Sequence, residues 1–525
     1  MLRRLERLWD SSRPSILEHV RAHLPDDESP GLNEGGDTLP DEEELGGSFR
    51  WIPGAMDGVG THHFGVGSEA AAIDELIAAL RAAAPDRKGA RARRKVYSVA
   101  RAGDAIRVVD PLLDRLRAVG MPAEQVQDTA RWLVSESRHR EPVKLGIALL
   151  GLGHTADDRD VLKVLGRHEE FTLFVAVALA NTTTDPDREL YALARSVEAW
   201  GRVHLVERLK DTEDPEIREW IFRAGFRNAV MNEYLAYIAA TTGELVRHLE
   251  EPLDPEALDA ACDIVSALLV GGPAQDIDDF ADGARAVTLL LHRLDDSATR
   301  LGHFLVADDI GRFLARDDGW EERAARGWTD EVRSEARRLV ETVRAKPHWE
   351  ALALEGLDSE NSQEFYEAER TARPLGHDTY AAHWRRVVDD PIGDNWWAVM
   401  QHANDERIDE ILEFATTSLP LDDIGSGPGT SLGLGPEWAA HQALDFIVQD
   451  LNRFPGRGWP LIRAALRSPV VRNRNMAVNT LFGWERSDWP ADAPGLVCAA
   501  LDGEPDARVR ERLRRLSRGE PDVEP

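Results

Sequence analysis

The feature that most constrains the fold is an internal repeat of acidic turns. Three similar segments, GHTADDRDVL, TTTDPDREL and DTEDPEIREW, place Asp157, Asp185 and Asp214 at successive spacings of 28 and 29 residues. Between the first two turns, VLKVLG and EEFTLFVAVALAN carry apolar side chains three or four positions apart, which predicts two helices of about ten residues. Such short helices are marginal alone in water, so each unit is expected to bury its apolar face against the next.

A second pair of similar segments lies near the end of the sequence. LIRAALRSPVVRNRNMAVNTL (461–481) aligns with LVCAALDGEPDARVRERLRRL (496–516) at an offset of 35 or 36 residues. Each predicts a short helix, a proline-containing turn and an arginine-rich second helix. No long alternating stretch bounded by hairpin turns is found, so little or no sheet is expected.

These segments resemble the HEAT family of helical repeats, including the shorter repeats related to phycobilisome lyases. The resemblance is carried by the predicted helix 171–179 and by Asp214, Pro215, Glu216, Ile217, Arg218, Arg474, Ala477 and Leu481. It implies an all-α fold, a HEAT-like α-solenoid of stacked antiparallel helix pairs. In this family an arginine of the second helix pairs with a turn aspartate of a neighbouring repeat. Arg218 and Arg474 match that position.

Composition and spacing divide the 525 residues into five segments. They are an N-terminal helix and flexible acidic tether (1–48), an N-terminal HEAT-like repeat block (49–252), a central helical block of undetermined period (253–424), a glycine-rich loop (425–435) and C-terminal HEAT-like repeats (436–518). The glycine-rich loop has no strand before it and no Lys-Ser or Lys-Thr after it. We therefore interpret it as a connection between helices and not as a phosphate-binding loop.

The charge of the chain limits its partners. It has 94 acidic and 63 basic side chains, a formal net charge of −31. Such a surface repels polyphosphate and anionic lipid, so neither nucleic acid nor membrane is expected as a partner. No signal peptide or spanning run of apolar residues is recognised, which favours a cytoplasmic location. Cys262 and Cys498 lie in apolar helical contexts and are predicted to be buried thiols.

One basic run departs from the acidic character of the chain. It contains Arg87, Lys88, Arg91, Arg93, Arg94 and Lys95. The segment 24–48, called the acidic segment below, contains nine acidic residues and no basic one. We hypothesise that the basic run holds residues 26–44 of the acidic segment within the same chain.

Three polar motifs in the sequence are candidate sites. His168-Glu169 is the one His-Glu dipeptide, whereas the di-iron sites of HEAT-type deoxyhypusine hydroxylases need several, so helix-start residues are favoured. The second motif is one predicted helix face with Glu437, His441 and Asp445. These residues could form a metal-binding trio, but the favoured interpretation is a solvated polar stripe. The third motif is the loop with His62 and His63. It is interpreted either as a ligand lid or, the favoured alternative, as a cap on the first repeat.

The remaining candidates lie in the C-terminal block and are weak candidates for a binding surface. They are Arg472, Asn473, Arg474, Asn475, Trp459, Trp484 and His441. Arginine forks match carboxylates, and tryptophans in a groove suit an apolar ligand or a partner helix. Capping, contacts between repeats and core packing are the favoured interpretations for these residue types.

A second resemblance bears on function. The segments 454–484 and 372–387 look like a family of bacterial helical proteins, some of which are named limonene hydroxylase. This resemblance implies a monooxygenase with haem, flavin or non-haem iron, but the ligand spacing of none of these is visible in the sequence.

The function expected first is that of a cytoplasmic interaction or scaffold protein whose curved face binds a protein partner with a basic segment. No catalytic, metal or cofactor residue is assigned, and no cofactor is expected. A limonene-hydroxylase-like monooxygenase acting on a small apolar substrate is the first alternative. An immunity or regulatory factor is the second.

Overall fold

The computed structural model describes residues 12–27, 29–45, 51–64, 69–83, 87–153 and 155–522. Within these ranges the regular structure is helical, and the sheet-like pairing is a single bridge between Ser431 and Val470. The prediction of an all-α protein is confirmed. Of the predicted N-terminal helix, the described part is Ile16–Ala22, and residues 1–11 lie outside the described ranges.

The chain divides into two compact units, one ending at Pro347 and the other beginning at His348. This division lies inside the predicted central block 253–424 and away from the glycine-rich loop. The boundaries of the predicted repeat blocks stay predictions.

Within its described residues, the first unit includes π-helical turns at Gly60–Phe64 and Ile221–Gly225 and a 3₁₀ turn at Asn232–Tyr234. Its α-helices, in the described ranges, are α1 (Ile16–Ala22), α2 (Glu42–Leu45), α3 (Ala55–Val59), α4 (Ala70–Ala82), α5 (Arg87–Ala102), α6 (Ala105–Ala118), α7 (Ala123–Glu136), α8 (Arg140–Leu150), α9 (Ala156–Gly166), α10 (Glu169–Thr182), α11 (Pro186–Ala194), α12 (Trp200–Arg208), α13 (Pro215–Trp220), α14 (Ala236–Thr241), α15 (Leu245–Glu250), α16 (Pro255–Val270), α17 (Gly283–Ser297), α18 (Leu301–Leu314), α19 (Trp320–Ala324) and α20 (Asp330–Arg344).

Successive helices of this unit pack as pairs. Helix α7 contacts α8, α9 contacts α10, and α11 contacts α12, while α10 also contacts both α8 and α12. The two short helices predicted between the first two acidic turns are thus present as α9 and α10. Helix α10 is buried along most of its length because it is covered on several sides by these neighbours.

The acidic turns start helices and bind arginines from earlier in the chain. Asp214 accepts hydrogen bonds from the backbone N–H groups of Glu216 and Ile217, where a negative charge suits the helix dipole. Arg131 pairs with Asp158 at 2.8 Å, 27 residues later, and Arg188 pairs with Glu216 at 2.7 Å, 28 residues later. These offsets match the repeat read from the sequence.

The acidic segment pairs with basic residues other than the predicted run. Asp41 is buried, and Arg140 lies 3.1 Å from its carboxylate and 2.6 Å from that of Glu42. In the basic run, Lys95 pairs instead with Glu75 at 3.1 Å. Asp41 and Glu42 of the acidic segment therefore contact Arg140 at the start of α8, which lies outside the predicted basic run.

The second unit includes short 3₁₀ turns at Pro436–Trp438, Leu451–Arg453 and Arg486–Asp488. Its α-helices, in the described ranges, are α21 (His348–Gly356), α22 (Ser362–Ala372), α23 (Tyr380–Asp389), α24 (Trp396–Gln401), α25 (Ile408–Ser418), α26 (Leu421–Ile424), α27 (Ala439–Val448), α28 (Trp459–Ala465), α29 (Val471–Gly483), α30 (Ala493–Gly503) and α31 (Ala507–Arg518).

An arginine contact recurs at the turns of both units. Arg218 donates to the carbonyl of Thr212 at 2.8 Å, and Arg474 donates to that of Ser468 at 2.7 Å. Arg510 donates to the carbonyl of Glu504 at 2.8 Å. In each case the acceptor lies six residues earlier, so the arginine ties its helix to the turn before it.

The arginine to turn-carboxylate pair implied by the HEAT resemblance has a counterpart at Arg474. Its guanidinium binds both oxygens of Glu504 at 2.7 Å, in the turn before α31. The acid is a glutamate where the family has an aspartate. Arg218 lies 3.6 Å from Glu244, a looser contact.

The two cysteines differ in burial. Cys262 is buried, as predicted, whereas Cys498 is exposed, so the prediction for Cys498 was wrong. Its helix, α30, buries only two residues, Ala493 and Val497, and Cys498 lies on the other face.

Among the described helices, none combines the length and the apolar character needed to traverse a bilayer.

Candidate functional site

The start of α12 is held by a buried carboxylate from α10. Glu169 accepts hydrogen bonds from the backbone N–H groups of Glu198 at 2.8 Å, Ala199 at 2.9 Å and Gly201. Burial raises the pKa of Glu169. A Cβ at Gly201 would lie 2.7 Å from Oγ1 of Thr172, so only glycine permits this approach. These contacts fix the position of α12, which carries two residues of the site.

The segment 51–64 lies directly on α10 and α12. Gly54 has a φ of +76° and donates its N–H to Glu170 at 3.0 Å. At Gly58 a Cβ would lie 2.3 Å from the ring of Trp200. These two glycines allow a close approach that a side chain would block, and the π-helical turn that follows carries His62. The favoured interpretation of a cap therefore fits the described residues. The segment covers helices α10 and α12, which belong to two successive helix pairs, and not the first repeat.

A buried ionic cluster fastens the same segment to α8. Lys144 is 3% exposed, and its Nζ lies 2.7 Å from Asp57, 2.8 Å from Glu170 and 3.2 Å from Glu141. Burial alone would raise the pKa of Glu170, but the charges of Lys144 and Arg140 outweigh it and lower this pKa to about 2. Burial raises the pKa of Asp57 to about 6 despite the nearby Lys144.

The cluster and the two glycines bring His62 to α12. Its Nε2 lies 2.9 Å from Oε1 of Glu207, and the other oxygen of Glu207 lies 3.9 Å from Nδ1 of His204. The ring of His62 also lies near two aromatic rings, with centroid distances of 5.5 Å to Trp200 and 5.3 Å to Tyr234. We call His62, His204 and Glu207 the His-His-Glu cluster.

The pKa values of the cluster follow from its contacts. The hydrogen bond to Glu207 raises the pKa of His62, whereas burial lowers the pKa of His204. Burial alone would raise the pKa of Glu207, but the two histidines that face its carboxylate bring this pKa down to about 2. Near neutral pH the cluster therefore holds a carboxylate, an imidazole that readily binds a proton and a neutral buried imidazole.

The His-His-Glu cluster lies at the edge of a cleft of about 770 Å³. The cleft has acidic and aromatic side chains and a single lysine, and its lining comprises His62, Glu207, Lys210, Asp211, Tyr234, Tyr237, Ile238, Thr241, Thr242, Pro273, Ala274, Gln275 and Asp279. Its three carboxylates outnumber its one lysine. A cleft with this charge, walled in part by tyrosine rings, suits a cationic group.

The His-His-Glu cluster also has the donors of a metal site. One ligand atom from each residue lies within 4.8 Å of the others. Among the described residues, these three side chains are the group of potential metal ligands that meets this distance. Sequence reasoning singled out His62 but missed His204 and Glu207. The available signal was a His-x-x-Glu spacing on one helix, which is common without a metal. The side chain of His63 lies outside the described residues.

The C-terminal candidate His441 is part of a buried network. Its Nδ1 lies 3.0 Å from both Ser468 and Asn473, and Asn473 donates to Asp445 at 2.7 Å. Burial raises the pKa of Asp445 to about 6. The interpretation as a solvated stripe with Glu437 was wrong for His441 and Asp445, because both residues are buried against Asn473 at the start of α29.

Burial separates the other C-terminal candidates into two groups. Asn473, Arg474 and Trp484 are 0%, 1% and 4% exposed, so they do not form an accessible surface. Arg472 is exposed and lies 3.3 Å from Asp445, while Asn475 accepts a hydrogen bond from Arg512. Trp459 is half-buried, and its indole donates to Asp492 at 3.2 Å. These contacts match the favoured interpretation of packing and of links between helix pairs.

His168 and Glu169 take the helix-start roles predicted for them. His168 precedes α10, and its Nδ1 accepts from the backbone N–H of Glu170 at 3.2 Å. The carboxylate of Glu169 is used by the start of α12, as described above.

A second group of histidines lies in the second unit. Nε2 of His383 is 3.6 Å from Glu369, and the ring centroids of His383 and His402 are 6.2 Å apart. The Glu369 carboxylate is also paired with Arg373. Because that arginine already neutralises the carboxylate, this group is a weaker candidate than the His-His-Glu cluster.

Comparison of the chain with protein-family models, with curated proteins and with solved structures gives no significant match. The candidate site therefore rests on the geometry and chemistry of this chain.

Proposed function

We propose that this chain is a cytoplasmic HEAT-like helical-repeat protein that binds a basic segment of a protein partner in the cleft beside α12. The observation that carries the proposal is the lining of that cleft, in which the exposed carboxylates of Asp211 and Asp279 outnumber a single lysine, Lys210, while Glu207 is already paired with His62. The net charge favours a basic partner, and the acidic lining supports this cleft as its binding site.

The solenoid part of the proposal is supported by the contacts between successive helix pairs. Helix α10 packs on α8 and α12, and ion pairs recur at offsets near the repeat length, as in Arg131 with Asp158. The arginine contact to a carbonyl six residues earlier recurs in both units. A stack of such pairs is the arrangement in which helices of this length bury their apolar faces.

The cleft has features that favour a lysine or arginine side chain over an acidic or apolar one. The phenol rings of Tyr234 and Tyr237 are in its wall, and aromatic faces attract cations. Asp211 and Asp279 are exposed at its edge, where they are free to meet an incoming charge without a large desolvation cost.

Binding of a labelled basic decapeptide of alternating lysine and glycine tests the proposal by fluorescence anisotropy. The Asp211→Asn/Asp279→Asn variant is expected to bind the peptide about tenfold more weakly, because two of the cleft carboxylates are lost. Both residues are exposed, so the variant is expected to fold normally. A decapeptide of alternating glutamate and glycine is expected not to bind.

A control of equal net charge separates the cleft from the general acidity of the chain. Asp128→Asn/Asp330→Asn removes two exposed carboxylates outside the cleft and is expected to change the affinity less than twofold. Equal weakening in the two double variants would show that the peptide responds to overall charge alone and would refute the proposed binding site.

The second candidate is the limonene-hydroxylase-like monooxygenase. The observation that favours it is the His-His-Glu cluster, because two histidines and one carboxylate are the donor set of many non-haem iron oxygenases. The charged lining of the adjacent cleft suits a small apolar substrate poorly, so this function ranks second. Oxygen uptake that depends on both ferrous iron and limonene, in the presence of an electron donor, would favour it over the first.

A further inference from the structure

Three side chains from two distant parts of the sequence meet at the edge of the cleft. His62 comes from the π-helical turn, while His204 and Glu207 lie three residues apart on α12 and so face the same side of the helix. A metal ion with ligands at about 2.1 Å holds their donor atoms about 3.4 Å apart. The three donors already lie within 4.8 Å of one another, so small side-chain rotations bring them to that spacing.

The hydrogen bonds of His62 leave Nε2 as the ring nitrogen that can coordinate a metal. Nδ1 lies 2.9 Å from the carbonyl of Gly58, which can only accept, so this nitrogen carries a proton. Histidines that bind metals commonly donate their other ring N–H to a backbone carbonyl in this way. Nε2 faces the Glu207 carboxylate, and the ion pair between these two residues requires a proton on Nε2. A metal cation bound between them takes the place of that proton.

His204 provides the second, independent observation. The residue is 3% exposed, its Nδ1 lies 3.9 Å from Glu207, and its Nε2 is buried without a hydrogen-bond partner among the described residues. A buried imidazole nitrogen without a partner is costly, and such atoms often mark the place of a missing ion or ligand. Burial also favours the neutral form, which is the form that coordinates a metal.

We propose that His62, His204 and Glu207 bind a divalent transition-metal ion with a coordination position open to the cleft. Two imidazole nitrogens and one carboxylate oxygen suit zinc and ferrous iron and are a poor set for calcium or magnesium. Because His62 and Glu207 also line the cleft, a fourth ligand is supplied by water or by a bound molecule. Sites with three protein ligands and an open position are typical of catalytic metals, whereas structural zinc sites are closed.

Calorimetric titration of the chelator-treated full chain with Zn²⁺ tests the site. One ion per chain is expected, and Co²⁺ in place of Zn²⁺ is expected to give visible absorption bands of a coordinated ion. His204→Gln and Glu207→Gln each remove one ligand and are expected to weaken Zn²⁺ binding by about 100-fold or more. Circular dichroism of the metal-free variants checks that each one folds.

The matched control is His292→Gln. His292 is an exposed histidine 3.2 Å from Glu335, so it reproduces a His-Glu pair without the third ligand. Its affinity for Zn²⁺ is expected to equal that of the unmodified chain. Equal loss in this control, or unchanged binding in folded Glu207→Gln protein, would overturn the proposal.

Proton release gives a readout that a merely structural pair would not produce. If Nε2 of His62 becomes a ligand, binding of Zn²⁺ displaces about one proton at a pH where that imidazole is charged. Titration in buffers of different ionisation enthalpy measures this number. Because a metal-bound water can also release a proton, His62→Gln is expected to reduce the release by about one proton, and an equal release in the two proteins would contradict the assignment of His62.

Discussion

Replacing Arg474 with methionine is expected to lower the free energy of unfolding of the second unit by about 3–5 kcal/mol. Arg474 is 1% exposed and binds both oxygens of Glu504, and it also donates to the carbonyls of Ser468 and Gly429, each at 2.7 Å. The substitution leaves a buried carboxylate without its cation and two carbonyls without this donor.

Hydrogen exchange of the full chain in increasing urea measures the effect where it arises, in peptides from α29 and α31. Arg508→Met changes an exposed arginine on α31 and is expected to cost less than about 0.5 kcal/mol. The double variant Arg474→Met/Glu504→Leu removes both charges and is expected to recover much of the loss. A single variant as stable as the control would show that the pair is not a main stabilising contact.

Arg474 also shows what a sequence can predict about this molecule. Apolar side chains three or four apart predicted α9 and α10, and the short turns with proline predicted where helices restart. The resemblance to HEAT repeats implied a turn carboxylate as the partner of Arg474. The first two inferences depend on local spacing, which the sequence records directly, and the third depends on the family resemblance.

The partner of a charge across the fold is not recorded in the same way. The basic run near Lys95 and the acidic segment have complementary charges, yet Asp41 binds Arg140. With many acids and bases available, sequence alone cannot choose between pairings of similar energy. The burial of His441 was missed for a related reason, because it depends on how the turn before α29 packs over α27.

The His-His-Glu cluster depends on still longer contacts. His62 and Glu207 are 145 residues apart, and they meet because Gly54 and Gly58 permit the segment 51–64 to lie on α12. A His-x-x-Glu spacing within one helix gives no hint of a third ligand. For the contact of His62 with α12, the signal in the sequence was the density of glycine around His62, because glycine permits close backbone approach.

Replacing Lys144 with methionine is expected to destabilise the first unit by about 3–5 kcal/mol at pH 7. The substitution leaves Asp57, Glu141 and Glu170 close together, with Arg140 as the nearest remaining cation, 3.7 Å from Glu170. Lys163→Met is the matched control, because Lys163 is half-exposed and its pair with Glu189 is expected to contribute less than about 1 kcal/mol.

The deficit is expected to shrink as the pH falls. In the unmodified chain the folded-state pKa of Glu170 is about 2, below its ordinary value of 4.5, so its contribution is complete above pH 4.5 and is lost as the pH falls toward 2. Without Lys144, burial dominates, and the folded-state pKa values of Glu170 and Asp57 are both expected to rise. Protonation then relieves the variant, so urea unfolding at pH 4 is expected to show a smaller difference than at pH 7.

The location of the loss links this stability prediction to the candidate site. Lys144 joins α8 to Asp57 in the segment 51–64, and His62 lies at the end of that segment. Hydrogen exchange in the Lys144→Met variant is therefore expected to increase first in 51–64, and Zn²⁺ binding is expected to weaken even though each proposed ligand is present. Unchanged protection of 51–64 in a destabilised variant would show that the buried ionic cluster holds the helices together without positioning His62.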